Sequence, residues 1–155
     1  MSETIKNPLA DLPRSGKLLG LDLGSKTIGL AISDGMRFSA TPLKTIKRTK
    51  FKNDAKELVE IIDENKIVGL VLGLPLNMDG SEGPRVQSSK AFARNLSAII
   101  DLPICFWDER LSTSAVTKTL IEADVSRAKR AQVIDKLAAS YILQGALDRL
   151  RNTNA

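Results

Sequence analysis

The chain has 155 residues, 43% hydrophobic and 26% charged, with 23 Lys and Arg against 18 Asp and Glu, a net charge of +5, one cysteine and no histidine. This length supports one ordinary domain with a real core but not two, and no apolar run approaches the roughly 18–20 residues of a membrane span, so the chain reads as soluble. The absence of histidine removes Ser-His-Asp hydrolysis, imidazole acid–base catalysis and the usual zinc sites, and the lone Cys105, in the apolar "PICFWDE", reads as a small buried hydrophobe with no disulfide or metal framework behind it.

Residues 1–17, "MSETIKNPLADLPRSGK", carry scattered charges, two prolines and no apolar h-region. They predict a flexible tail rather than a signal peptide, and a cytoplasmic protein. Residues 18–151 then read as a single domain. Strands are expected over about 18–23 and 27–33 and in an extended segment around 38–47, joined by tight turns into an antiparallel meander. "FKNDAKELVEIIDENK" places Ala55, Leu58, Val59 and Ile62 at helical spacing, and the unbroken apolar "IVGLVLG" that follows reads as a buried parallel strand. The loop "LPLNMDGSEG" leads through Pro84 into a helix to about residue 100, "LPICFWDE" gives a further strand, and helical stretches near 112–123 and 131–151 close the chain. Between them, residues 122–132 read as loop. The order predicts an α/β fold: a mixed five-stranded sheet, three antiparallel strands and then parallel ones, with helices on both faces.

Three acids fall where carboxylates are costly. Strand alternation puts Leu19, Leu21 and Leu23 on one face and Leu18, Gly20 and Asp22 on the other, both apparently buried. Asp22 either opens a turn by bonding the amides of Gly24 or Ser25, or is a working group. Asp108 and Glu109 end an apolar strand, the sheet edge where open α/β folds place ligands, and adjacent strand residues point to opposite faces, so one of the two faces Asp22. The alternative there is a polar strand end with Ser112 or Thr113 capping the next helix. Asp135 heads a stripe of Ala138, Ala139, Ile142 and Ala146 on the last helix, aimed at the sheet rather than at water; the plain alternative is a first-turn acid favoured by the helix dipole. With the first strand central, all three acids can converge at one end of the sheet. Converging carboxylates repel and call for a cation. Oxygen-only ligands suit Mg²⁺ or Mn²⁺, and two such ions about 3.5–4 Å apart are a device for phosphodiester hydrolysis.

The basic balance points to nucleic acid held through phosphates and shape, since aromatics at 4% are too few for base stacking. Candidate contacts are Lys26, Arg85, Arg110, Arg127, Lys129 and Arg130, along with the run Lys44, Lys47, Arg48, Lys50 and Lys52. The amides of the loop 73–83, with Arg85 at the helix start, are a further candidate phosphate cradle.

The motifs "LDLGSKTIGLAISD", "VLGLPLNMDGSEG", "DERLST" and "IDKLAASYILQ", in that order, resemble the RuvX family, also called YqgF, over nearly the whole chain beyond the tail. The resemblance implies a ribonuclease H-like fold and an acidic triad carried here by Asp22, Glu109 and Asp135, favouring Glu109 over Asp108. It further implies a nuclease that processes the 16S rRNA precursor in ribosome biogenesis. Resolution of Holliday junctions, an earlier proposal for the family, is the alternative, and a non-catalytic RNA-binding assembly or transcription factor is the reading from another class. Monomer and homodimer are both open.

Overall fold

The computed structural model describes residues 9–77, 79–109 and 127–154, with side chains in the last helix from 137 to 151. Five strands form one sheet in the order β3-β2-β1-β4-β5: β1 (Lys17–Leu23), β2 (Thr27–Ser33), β3 (Ala40–Lys47), β4 (Ile67–Leu74) and β5 (Ile104–Asp108). The first three pair antiparallel because the links between them are short; in the first, the Gly24 N–H donates to the Thr27 carbonyl at 2.8 Å. β4 pairs parallel to β1 and β5 parallel to β4, which demands crossovers. These are helices α1 (Phe51–Asn65) and α2 (Pro84–Ser97).

The two faces of the sheet bury different residue types. On one, Leu19, Leu21, Leu23, Ile28 and Leu30 pack with Leu58 and Ile62 of α1 and Phe92 and Leu96 of α2. On the other, Leu18, Val71 and Cys105 pack under Ala139, Ile142, Leu143, Ala146 and Leu147 of the long last helix, α3 (Arg127–Asn154). The small residues there allow a close approach: a Cβ added to Gly20 would lie 2.8 Å from Leu143 Cβ and 3.0 Å from the Ala139 carbonyl oxygen. α3 runs back along β1, since Gln144 accepts from the amide of Ala40 at the start of β3, and Leu150 shares the cluster of Leu12, which lies over Gly69 near the start of β4.

The mixed sheet with helices on both faces matches the fold class expected from the sequence. Three boundaries differ. α3 begins at Arg127, so residues 127–132, expected as loop, are helical; Arg, Ala and Lys are strong helix formers even where an apolar stripe is missing. α2 stops at Ser97 rather than near 100. A 3-10 turn at Leu9–Asp11 carries Leu12 into the core at 5% exposure, so the packed chain begins ahead of β1. The helix expected over 112–123 lies outside the described residues. No helix among the described residues is long and apolar enough to cross a membrane.

Candidate active site

Asp22 occupies the penultimate position of β1, on the face covered by α3. Its neighbours across the sheet are Gly29 of β2 and, one step beyond the Leu21–Leu72 pair, Gly73 of β4. Two glycines beside a half-buried acid leave room over the strands for another side chain. Glu109 uses the room on the β4 side. A Cβ at Gly73 would stand 2.8 Å from Glu109 Cγ and 3.1 Å from its Cδ, so the glutamate lies across β4 on its way to Asp22.

Alternation along β5 explains why Glu109 rather than Asp108 does so. Cys105 and Trp107 pack under α3, Trp107 so tightly that a Cβ on Gly145 would lie 2.8 Å from its ring, and the next residue of that parity is Glu109. Asp108 belongs to the opposite parity. The structure thus separates two acids between which the spacing of the residues left the choice open.

Glu109 is only 9% exposed, and its Oε2 has no hydrogen-bond partner among the described residues. Burial, the charge of Asp22, a hydrogen bond with Asp22 and the charge of Asp108 push its pKa up to about 8, while Arg85 pulls the other way. A hydrogen bond between two carboxyl groups requires a proton between them, so Asp22 and Glu109 form one coupled pair.

Asp135 lies within α3, and its side chain falls outside the described residues. Its backbone position is informative. It stands one turn before Ala139, which covers Gly20, and two turns before Ile142, whose Cδ1 would be 2.6 Å from a Cβ at Gly73. Four helical residues rise about 6 Å, close to the roughly 7 Å that two strand residues cover from Gly20 to Asp22. The helix face that covers the sheet therefore carries position 135 to the end where Asp22 and Glu109 meet.

Of the candidate basic contacts, Arg85 is at the pair: from the first turn of α2 it donates to the Leu23 carbonyl at 3.2 Å and lowers the proton affinity of Glu109. Lys26 is exposed in the neighbouring turn. Arg110 and the side chains of Arg127, Lys129 and Arg130 lie outside the described residues. Lys44 faces away, bonded to Glu57 of α1 at 2.8 Å. Part of the expected loop cradle is engaged within the loop itself. The amides of Asn77, Gly80 and Ser81 donate to Ser81 O, Asn77 O and Asp79 Oδ1 inside the loop, while Arg85 stands at the acid pair.

Two features that position the site had no clear sequence signal. Gly73 gave no sign of a neighbouring carboxylate. Arg48, named among the candidate phosphate contacts, instead donates to the Gly24 carbonyl at 2.6 Å with its guanidinium 5.8 Å from the Phe92 ring centre, and so braces the turn after Asp22.

Among the described residues no three acidic or cysteine side chains lie together as a metal-binding group. The pair itself suits a hard divalent cation: oxygen donors only, one of them buried without a partner among the described residues, in a site where two carboxylates cannot both ionise without a counter-charge.

The family model of RuvX, described as Holliday junction resolvase, matches residues 16–149. A protein of Cereibacter sphaeroides (strain ATCC 17025 / ATH 2.4.3) named "Putative pre-16S rRNA nuclease" is 66% identical over 148 residues, covering 96% of this chain and 92% of that protein. One of the same name from Ruegeria pomeroyi is 61% identical over 150 residues, covering 97% of each. Among solved structures, Thermus thermophilus RuvC in complex with a Holliday junction substrate superposes with a TM-score of 0.57 at 13% identity, covering 89% of this chain and 97% of that one, a likeness of fold.

Proposed function

The chain belongs to the RuvX family, a family of nucleases, and from that premise we propose that it is a divalent-metal-dependent phosphodiesterase that trims the 16S rRNA precursor in the cytoplasm. The observation that carries this reading is the Asp22–Glu109 pair, brought together over Gly73 at the end of a rigid central strand and lacking any histidine that could do the same work. The name shared by relatives more than 60% identical over nearly their full length supports the RNA substrate.

In this reading Asp22, Glu109 and Asp135 hold Mg²⁺ or Mn²⁺, which when bound supplies activation of the attacking water and neutralises charge developing on the phosphate. Asp22, set on both sides between glycines, would be the central ligand. Glu109 holds the proton it shares with Asp22 while the site is without a counter-charge, and as a carboxylate it would be one of the oxygen donors that hold the cation. Arg85, whose charge already acts on Glu109, orients a phosphate oxygen of the substrate, and the leucines of β1 on the opposite face keep Asp22 from shifting as charge changes around it. Lys26, Arg110, Arg127, Lys129 and Arg130 hold the flanking backbone.

Cleavage of precursor 16S rRNA by the full chain, with and without Mg²⁺, tests the proposal, with Asp22→Asn as control. Mg²⁺-dependent cleavage that disappears in the variant is expected; cleavage at the wild-type rate by Asp22→Asn would contradict it. The likeness to a junction-bound resolvase and the family description favour a second reading, resolution of DNA junctions. That reading predicts faster cutting of a four-way junction than of precursor rRNA when the two are compared side by side, and two active sites in one assembly.

A further inference from the structure

The run of basic residues at the end of β3 is divided by the structure. Ile46 is buried with α1 and α2, so Lys47, next along the strand, points to the Asp22 face, and it is exposed. Lys44, two before Ile46, is on the α1 side and bound to Glu57. Arg48 is turned inward as the brace of the β1–β2 turn. Its N–H also donates to the Lys26 carbonyl at 2.8 Å, which stitches the strand end to the turn that carries Lys26. Lys50, just before α1, is exposed beside them. Among the described residues Lys26, Lys47 and Lys50 make no ion pair with a carboxylate, whereas Lys44 and Lys90 do. The bracket beneath is stiff: Arg48 rests on Phe92, which meets Phe51 edge to face at 5.4 Å.

This corner is continuous with the acid pair. Asp22 pairs with Gly29 and Gly29 with Thr45, two residues before Lys47. Two strand spacings and two residues of rise put the Lys47 backbone roughly 12 Å from that of Asp22, which a nucleic acid strand advancing about 3.4 Å per phosphate covers in three or four nucleotides. The outer surface of α1, by contrast, presents Glu57, Glu60 and Glu64 with Lys56, and Lys44 there is tied to Glu57, so the α1 side is of mixed charge and offers a polyanion less than the unpaired lysines of this corner do. We propose that Lys26, Lys47 and Lys50 form a fixed phosphate track that carries the substrate strand from the acid pair past the β3 edge of the sheet, contacting backbone phosphates a few nucleotides from the scissile bond. The inference rests on the nuclease reading above.

The test measures binding of the full chain, in EDTA, to a fluorescein-labelled RNA hairpin with a single-stranded extension, across a salt series. Two charge-matched triple variants are compared with wild type. One replaces Lys26, Lys47 and Lys50 with Gln; the other replaces Lys17, Lys56 and Lys66, which lie at the opposite sheet end or on α1. The track variant is expected to bind at least tenfold more weakly and to lower the slope of log affinity against log salt by about 2 to 3, at 0.7–0.9 per lost phosphate contact. The control variant keeps its slope. Equal behaviour of the two triple variants, or no change in the track variant while wild type binds, overturns the track and leaves the nuclease reading standing. A wild-type chain that binds no RNA overturns the track, and the Mg²⁺-dependent cleavage of precursor 16S rRNA decides the nuclease reading separately.

Discussion

The two faces of one sheet, built from alternate residues of the same strands, have been put to different uses. Beneath α1 and α2 the face is large aliphatics from end to end, and Leu19, Leu21, Leu23, Ile28 and Leu30 are each under 5% exposed. Beneath α3 small residues are interleaved with large ones: Gly20, Ala31 and Gly73 lie under Ala139 and Ala146 beside Leu18, Leu143 and Leu147, with Asp22 and Glu109 gathered at one end. A face packed by big side chains leaves little room for a polar group between them. One packed by glycines and alanines brings a helix close, and where that helix reaches the strand ends it leaves spaces that side chains with charge can enter. The first face holds the second in place.

The sharpest break of that contrast uses neighbours in sequence. Asp22→Asn is expected to lower cleavage by about 10³-fold or more, with the fold intact and the melting temperature unchanged or raised, because repulsion within the acid pair is relieved. Leu21→Ala, one residue away on the other face, is expected to cost about 2–5 kcal/mol of stability in denaturant titration. A comparable loss of stability in Asp22→Asn would mean that the carboxylate is structural.

Next in size is a pair of glycines in β4. At Gly73 an added Cβ meets Ile142 and Glu109 at 2.6 and 2.8 Å, while at Gly69, on the same face toward the other end, it meets Leu12 at 2.6 Å. Both alanine variants should lose about 1–3 kcal/mol from overpacking. In steady-state kinetics Gly73→Ala alone should also lose about 10²-fold in turnover, since a misplacement near 1 Å costs that much.

Glu109 gives a smaller effect with a definite sign. Its pKa rises from 4.5 to about 8 on folding, so between those values the folded chain keeps a proton that the unfolded chain has released. Folding stability contributed by this group is therefore complete below about pH 4.5 and declines as pH rises to about 8. Thermal melts of the metal-free protein should show this decline, and Glu109→Gln should be flat by comparison. Smallest is Arg85→Gln, expected to raise KM about tenfold at low salt with less change in kcat, as befits a phosphate contact.

Much of this was legible in the sequence. The strands of the meander, the crossover through α1 and the placement of the first strand at the centre follow from period-two and period-3.6 patterns and short turns, and the stripe Ala138, Ala139, Ile142 and Ala146 is buried on the sheet as its spacing indicates. Asp22 announced itself as a charge among leucines. What could not be read were facts of register. Whether Asp108 or Glu109 turns toward Asp22 depends on which β5 residues face α3, and that Gly73 is the residue the glutamate crosses depends on how β4 aligns with β1. Arg48 and Lys47 look alike in a basic run, yet Arg48 is drawn in by its bonds to the Gly24 and Lys26 carbonyls while Lys47 stays on the surface.

The central claim is that Asp22 and Glu109 form a cation site, and titration calorimetry of the full chain with Mn²⁺ near pH 7, in buffers of different ionisation enthalpy, addresses it most directly. Wild type should bind with release of a proton, because Glu109 must ionise. Asp22→Asn should lose the binding and Glu109→Gln the proton release. Undiminished Mn²⁺ affinity in Asp22→Asn, or no binding by wild type, would contradict the claim.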